Sequence, residues 1–338
     1  MFVNPHSRAN RRDPGLARRF ARILDGEGGA VGRVIAPGSL DELAEEARRL
    51  AGGGGPGAEG TPPSVIGIHG GDGTLHRTVG ALIRGWGVQA GQDAGQGPGD
   101  QGKVRRALPP IAVLTGGTMN VVARSLAISA RPERLLLELV AGVRAGRPPE
   151  TVSRRCLKVG DSFGFVFGNG LMVNFLQEYY SKGGYGAPRA LFILGRTFAS
   201  ALVGGGYAAQ MFRRFRGRVW VEGEALPWTA LTGIGAATVR EVGLGFKLNH
   251  RADEDPDRFS VLAIHAGAIA LAADLVPVHR GRGIAPGRAW SALASRLVIE
   301  PEDPEAGYTI DGDLYPGCGR IEVELGPALR FVRPAVRR

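Results

Sequence analysis

The sequence predicts an α/β protein of two domains: a parallel sheet covered by helices, then a mostly antiparallel β-sandwich. Three observations carry this. The 338 residues are roughly twice the ~150-residue prior for one domain. Up to about Ala145, short apolar runs alternate with helical patterns, as the strands and crossover helices of a parallel sheet do. Beyond Arg147 short runs with turn residues between them dominate, which is the texture of a sandwich. The expected domains are therefore 1-147 and 148-338.

Met1–Val3 reads as a very short strand. Leu16, Phe20 and Ile23 put one apolar face on a helix across Pro14–Leu24. Arg33–Ala36 fits a strand, and Ser39 with Glu42 three residues later forms a capping box that opens a helix to about Leu50. Gly52–Pro63 reads as linker, Val65–His69 as a buried strand and Leu75–Arg84 as a helix. Gly91–Gly102 is a low-complexity loop. Then come a strand at Ile111–Leu114 and helices at Met119–Leu126 and Pro132–Ala145. In the second half, the runs expected as strands are Arg155–Val159, Phe163–Gly168, Arg218–Val221, Trp228–Ile234, Gly245–Leu248, Phe259–His265, Arg296–Ile299, Tyr308–Ile310, Ile321–Leu325 and Leu329–Val332. One helix is expected near Ala187–Val203.

Composition narrows the function classes. With 43% hydrophobic and 22% charged residues, the chain can bury a core, which excludes collagen, coiled coil and wholesale disorder. The net charge is +10 and the only lysines are Lys103, Lys158, Lys182 and Lys247. Such a balance suits an anionic partner, although a codon bias toward arginine explains it equally well. From Lys182 to Arg218 there are seven bases and no acid, interleaved with residues such as Leu191, Phe192, Phe198 and Phe215. That stretch either rests on anionic phospholipid or is a basic face above core. Nucleic acid is not expected as a partner; a homodimer is compatible. Cys156 and Cys318 are far apart, so neither a disulfide framework nor a zinc site is expected. No run reaches the ~18–20 apolar residues of a membrane span and no signal peptide is visible. The expected location is cytoplasmic, at most peripheral at the inner face of the membrane.

Glycine is the anomaly, at 54 residues, or about 16% against an average near ~7%. Some of it is organised. Gly70-Gly71-Asp72-Gly73-Thr74 lies between an expected strand and helix, where successive N–H groups and a positive helix end converge on an anion. Asp72 in such a turn implies a cation between it and phosphates, and Mg²⁺ is the usual one. Gly116-Gly117-Thr118-Met119-Asn120 repeats the arrangement after the next strand, and Asn4-Pro5-His6-Ser7 follows the first. Turns at the carboxyl ends of parallel strands match the crevice rule for open α/β sheets. Walker and Rossmann fingerprints are absent.

In order along the chain, Asn4-Pro5-His6-Ser7, Gly70–Thr74, Gly117-Thr118-Met119-Asn120-Val121-Val122-Ala123-Arg124 and Asp311-Gly312-Asp313 resemble the diacylglycerol kinase catalytic-domain family. That family includes bacterial lipid kinases and sphingosine kinases. The resemblance implies an ATP-binding α/β domain followed by a β-sandwich, with the active site in the cleft between them. It implies ATP phosphates on Asn4, Pro5, Ser7, Gly70, Gly71, Asp72, Gly73, Thr74, Gly116, Gly117, Thr118 and Asn120, and Mg²⁺ at Asp72. It also implies a general base from Asp311 or Asp313 and a structural Mg²⁺ at Asp255 and Asp257. The expected activity is ATP- and Mg²⁺-dependent phosphorylation of a hydroxyl on diacylglycerol or a similar lipid.

The sequence departs from the family pattern at Val121 (usually an acid), His76 (usually Asn), Thr115 (usually Pro), Asp313 (usually Glu) and Arg258 (usually Gly). A soluble-acceptor kinase like the NAD kinases and a non-catalytic nucleotide or lipid binder remain as alternatives. On their residues alone, Asp311–Asp313 also fits a hairpin turn, Asp255 and Asp257 a solvated acidic loop, and His69 a core histidine.

Overall fold

The computed structural model describes residues 1–26, 29–53, 62–88, 107–117, 119–128, 130–181 and 186–334. The expected loop Gly91–Gly102, most of the linker Gly52–Pro63, Thr118 and Lys182 lie outside the described residues. The chain forms two compact units, Met1–Arg154 with Gly326–Arg338, and Arg155–Leu325.

The first unit contains β1 (Phe2–Val3), α1 (Arg8–Arg12), α2 (Leu16–Asp25), α3 (Leu40–Ala51), β2 (Ile66–Gly70), α4 (Asp72–Trp86), β3 (Ile111–Thr115), α5 (Val121–Ser125) and α6 (Pro132–Arg144). β4 (Thr151–Val159) begins in it. β1 and β2 are parallel with Phe2 opposite Ile68, and β2 and β3 are parallel with Gly70 opposite Thr115. On the other side of β1, Phe2 bridges Ile35, which is what the structure retains of the strand expected at Arg33–Ala36. The spatial order is thus Ile35, β1, β2, β3. The chain leaves β1 to one side and returns on the other, so a topological switch point lies between β1 and β2.

Burial explains these elements. Every residue of β2 is buried, as in a parallel strand covered on both faces. Leu16, Phe20 and Leu24 form the buried stripe of α2 and pack with Val3, Leu114, Leu136 and Val140. Ser39 Oγ caps α3 by accepting the Glu42 N–H at 3.1 Å, and the Glu42 carboxylate accepts from Gly38 at 2.7 Å. The expected capping box is present with its second half shifted by one residue.

The second unit continues with β5 (Ser162–Gly164), β6 (Val166–Gly170), α7 (Leu171–Ser181), α8 (Ala187–Leu202), α9 (Gly206–Met211), β7 (Phe215–Val221), β8 (Glu224–Ala225), β9 (Ala230–Leu231) and β10 (Gly233–Ala237). It closes with β11 (Phe259–Ile264), α10 (Ala268–Ala272), α11 (Leu275–His279), β12 (Ala289–Ala294), β13 (Arg296–Pro301), β14 (Tyr308–Ile310), β15 (Asp313–Tyr315) and β16 (Ile321–Val332). One sheet runs β12-β11-β10-β6-β14-β15, with every pairing antiparallel. The other pairs β7 with β13 and β13 with the first residues of β16, again antiparallel. Leu157, Phe167, Val219, Ile234, Phe259, Leu297, Ile310 and Val323 share the core between them. This is the expected sandwich layer.

Four sequence expectations change. Gly245–Leu248 is not a strand, because Gly243, Leu244 and Gly245 all have positive φ, which no ladder accommodates. α7 and α9 are helices the run pattern did not show. The runs Ile321–Leu325 and Leu329–Val332 are one strand, β16. Its last residues leave the second unit, and Phe331 pairs in parallel with Ile111 of β3. The C-terminal segment therefore belongs with the first unit, correcting a simple division at 147/148. Its buried Leu329, Phe331 and Val332 complete the parallel sheet. Among the described residues no helix is long and apolar enough to cross a membrane.

Candidate functional site

The loops that follow β1, β2 and β3 lie side by side at the carboxyl edge of the parallel sheet, and three hydrogen bonds join them. From the first loop, Asn4 Nδ2 donates to Thr74 Oγ1 at 2.9 Å, across the switch point. The Gly116 N–H donates to Gly70 O at 2.8 Å. The Val121 N–H donates to Asp72 Oδ1 at 2.7 Å. Asn4, Gly70–Thr74, Gly116, Gly117 and Asn120, named from the sequence, are thus brought together.

Each loop has a local cause. Asn4 Oδ1 accepts the His6 N–H at 2.9 Å, an Asx turn, and its carbonyl accepts from Asn10 Nδ2 at 2.6 Å. Ser7 Oγ caps α1 by accepting the Asn10 N–H at 3.3 Å. Pro5 sits between them without an N–H to satisfy. Asn10 was not singled out in the sequence, yet it holds the carbonyl of Asn4.

In the second loop α4 begins earlier than its apolar spacing suggests, with Gly71 as N-cap and Asp72 as first residue. The first N–H groups of this 15-residue helix have no intrahelical acceptor, and its dipole adds positive potential. In the third loop Asn120 is left-handed, with φ of 47°. Its side chain closes a ring on Gly117, accepting the N–H at 3.1 Å and donating to the carbonyl at 2.9 Å. A Cβ on Gly117 would lie 2.5 Å from the Gly71 Cα. The two turns therefore touch backbone to backbone, and only glycine permits it.

Beneath the turns, His69 is fully buried, its Nδ1 3.0 Å from Leu114 O and its ring edge-on to Phe20. Burial lowers its pKa from the ordinary value. The neutral ring then donates from Nδ1 and leaves Nε2, buried and without a partner, as a bare acceptor. This is the core histidine the sequence allowed.

Asp72 is the carboxylate of this cradle. One carboxylate with phosphate oxygens is a normal set for Mg²⁺, which prefers hard oxygen donors. With phosphate oxygens completing the set, Asp72 fits that ion.

The remaining acidic residues lie in the second unit. Asp311 and Gly312 have φ of 50° and 90° and form the two-residue turn between β14 and β15, where Ile310 pairs with Asp313. Two positive φ values are those of a type I′ hairpin, which explains the Asp-Gly sequence. The turn is also anchored. The Asp311 carboxylate accepts the N–H groups of Phe165 at 2.9 Å and Val166 at 2.8 Å, and Tyr180 Oη donates to Gly312 O at 2.9 Å. Asp311 and Asp313 are therefore separated by a turn, not aligned on one strand face.

Asp255 and Asp257 do not fit a metal. Asp255 accepts the Asp257 N–H at 2.8 Å and faces Arg258 at 3.7 Å, while Asp257 pairs with Arg155 at 2.8 Å. At the expected cation position the two carboxylates face two guanidinium groups, one of them on the arginine that stands at the usual glycine. Among the described residues no three His, Cys, Asp or Glu side chains group around a cation position.

Residues 1–146 match the model of the diacylglycerol kinase catalytic domain. A diacylglycerol kinase structure from Bacillus anthracis aligns over 99% of this chain and 96% of its own, at 12% identity and a TM-score of 0.60. A second Bacillus anthracis structure, a candidate of the same kinase class, aligns over 99% and 94%, at 13% identity and a TM-score of 0.65. These likenesses show the fold. No match to a curated protein is significant. The domain match, over residues 1–146, supports a phosphotransferase of the kinase class.

Proposed function

We propose, from the premise that residues 1–146 form a diacylglycerol kinase catalytic domain, that the chain transfers the γ-phosphoryl of ATP to a hydroxyl of diacylglycerol or a similar lipid. The observation that carries this is the three-loop cradle, tied by Asn4–Thr74, Gly70–Gly116 and Asp72–Val121. Phosphoryl transfer asks a protein mainly for positioning and charge neutralisation. The N–H groups of the first turn of α4 bind phosphate oxygens, and the closely packed Gly71 and Gly117 let those oxygens approach the backbone. When bound at Asp72, Mg²⁺ supplies charge neutralisation at the transferred group.

The family resemblance gives proton removal from the acceptor hydroxyl to a carboxylate of the Asp311-Gly312-Asp313 turn. Asp311 accepts the N–H groups of Phe165 and Val166, which anchors the turn. Asp311 positions the turn, and Asp313 is the candidate base. Purified protein with Mg²⁺, γ-labelled ATP and an acceptor panel tests the reading. Label moves to diacylglycerol in mixed micelles; label on NAD alone would assign the soluble-acceptor branch instead.

A further inference from the structure

In the second unit, α8 is amphipathic in the unusual sense. Ala190, Ile193 and Thr197 form its buried stripe. The opposite arc consists of Pro188, Leu191, Phe192, Gly195, Ala199 and Leu202, every one exposed. Leu191 is 56% exposed, Phe192 66%, Leu202 77% and Val203, just past the helix, 82%. An outward face of this kind is normally polar. α10 packs against α8 and shows the same inversion at Ile269, 63% exposed, and α11 does so at Val276, 58% exposed.

The charges nearby divide into two groups. Arg189 is turned inward, donating to the carbonyls of Tyr179 and Glu178 at 2.7 Å. Arg196 lies 3.9 Å over the Tyr207 ring. These bases fix α8 to the protein. Arg213 and Arg214 after α9, and Arg280 and Arg282 after α11, are exposed. The nearby acids offer no opposing surface. Asp274 is buried and paired with Arg288 at 3.0 Å, and Glu178 is turned toward Arg196.

We infer that α8, α10 and α11 form a docking surface for an anionic bilayer leaflet. Leu191, Phe192, Leu202, Val203, Ile269 and Val276 enter the interfacial region, with Arg213, Arg214, Arg280 and Arg282 at the headgroups. An exposed apolar face beside unopposed positive charge complements lipid that is apolar within and anionic at its surface. A second copy of the chain would bring arginines onto arginines. The arrangement also shifts the source of affinity from the basic stretch 182–218 to the apolar arc, since two of its bases, Arg189 and Arg196, serve the fold.

Sedimentation of the full chain with vesicles tests this without nucleotide or turnover, so it stands apart from the kinase reading. Wild type partitions onto phosphatidylglycerol-containing vesicles, and salt removes only part of the binding because apolar insertion is unscreened. The variant Phe192→Ser with Leu202→Ser, both on the exposed arc, lowers partition at least about tenfold with an unchanged melting temperature. Arg213→Glu with Arg280→Glu weakens binding to anionic vesicles and leaves the small partition onto neutral ones. Three results would overturn the inference: no wild-type binding, Ser variants that bind like wild type, or a solution dimer that the Ser substitutions dissociate.

Discussion

The Asp72 carboxylate accepts the Val121 N–H at 2.7 Å, so the first residue of α4 is tied to the first residue of α5. Asp72 thus has two separable roles, an acceptor in the cradle and a negative charge for a cation. Asp72→Asn keeps an acceptor oxygen and removes the charge; Asp72→Ala removes both. The Asn variant melts like wild type and loses about 10²-fold or more in turnover. The Ala variant is also destabilised, by about 1–3 kcal/mol for the unpaired N–H. Thermal melts with initial rates check both, and full turnover in Asp72→Asn would remove the cation role.

Gly117→Ala tests the backbone contact between turns. Its Cβ would meet the Gly71 Cα at 2.5 Å, and neither backbone is a flexible side chain that can move aside. The cost is about 1–3 kcal/mol, read in a urea midpoint, together with weaker nucleotide binding in equilibrium titration. Gly71→Ala meets Gly117 Cα at 3.3 Å and is the milder change.

Asp311 and Asp313 separate by readout. Asp311→Ala strands the N–H groups of Phe165 and Val166, costing about 1–3 kcal/mol for each left unsatisfied, so the melting temperature falls along with the rate. Asp313→Asn, at the start of β15, lowers kcat with the melting temperature retained and KM for ATP unchanged. Equal stability loss in both variants would assign Asp313 to structure.

His69 makes stability depend on pH. Burial keeps its folded pKa below the ordinary value, while the unfolded ring takes a proton near ~6.5. Where the unfolded state binds more protons, stability rises with pH. The contribution is therefore present above about 6.5 and is lost as pH falls below it, until the folded ring is also protonated. Melts from about pH 7 down to about pH 5 show the decline, and His69→Gln flattens that part of the curve.

The parts of this molecule legible in the sequence are those with local causes. The glycine turns could be read because strand, turn and helix follow within a dozen residues, and their chemistry lies in the backbone. The Asp-Gly hairpin could be read for the same reason. α7 could not, because Leu171 starts it immediately after β6 and its Phe and Tyr residues mimic a strand. Nor could the return of β16, since Phe331 meets Ile111 across most of the chain. The pairing of Asp257 with Arg155 was not legible either, because the two are distant in sequence. The apolar arc of α8 was visible as composition, but which face it presents depends on the packing of α9 and α10.

The cradle around Asp72 is proposed to transfer a phosphoryl group to a lipid hydroxyl. The most direct measurement is the initial rate of label transfer from γ-labelled ATP to diacylglycerol in mixed micelles, wild type beside Asp72→Asn. Wild type yields labelled lipid, and the variant loses about 10²-fold or more in rate. Unlabelled lipid from folded, nucleotide-binding wild type, or equal rates from the two proteins, would contradict the proposal.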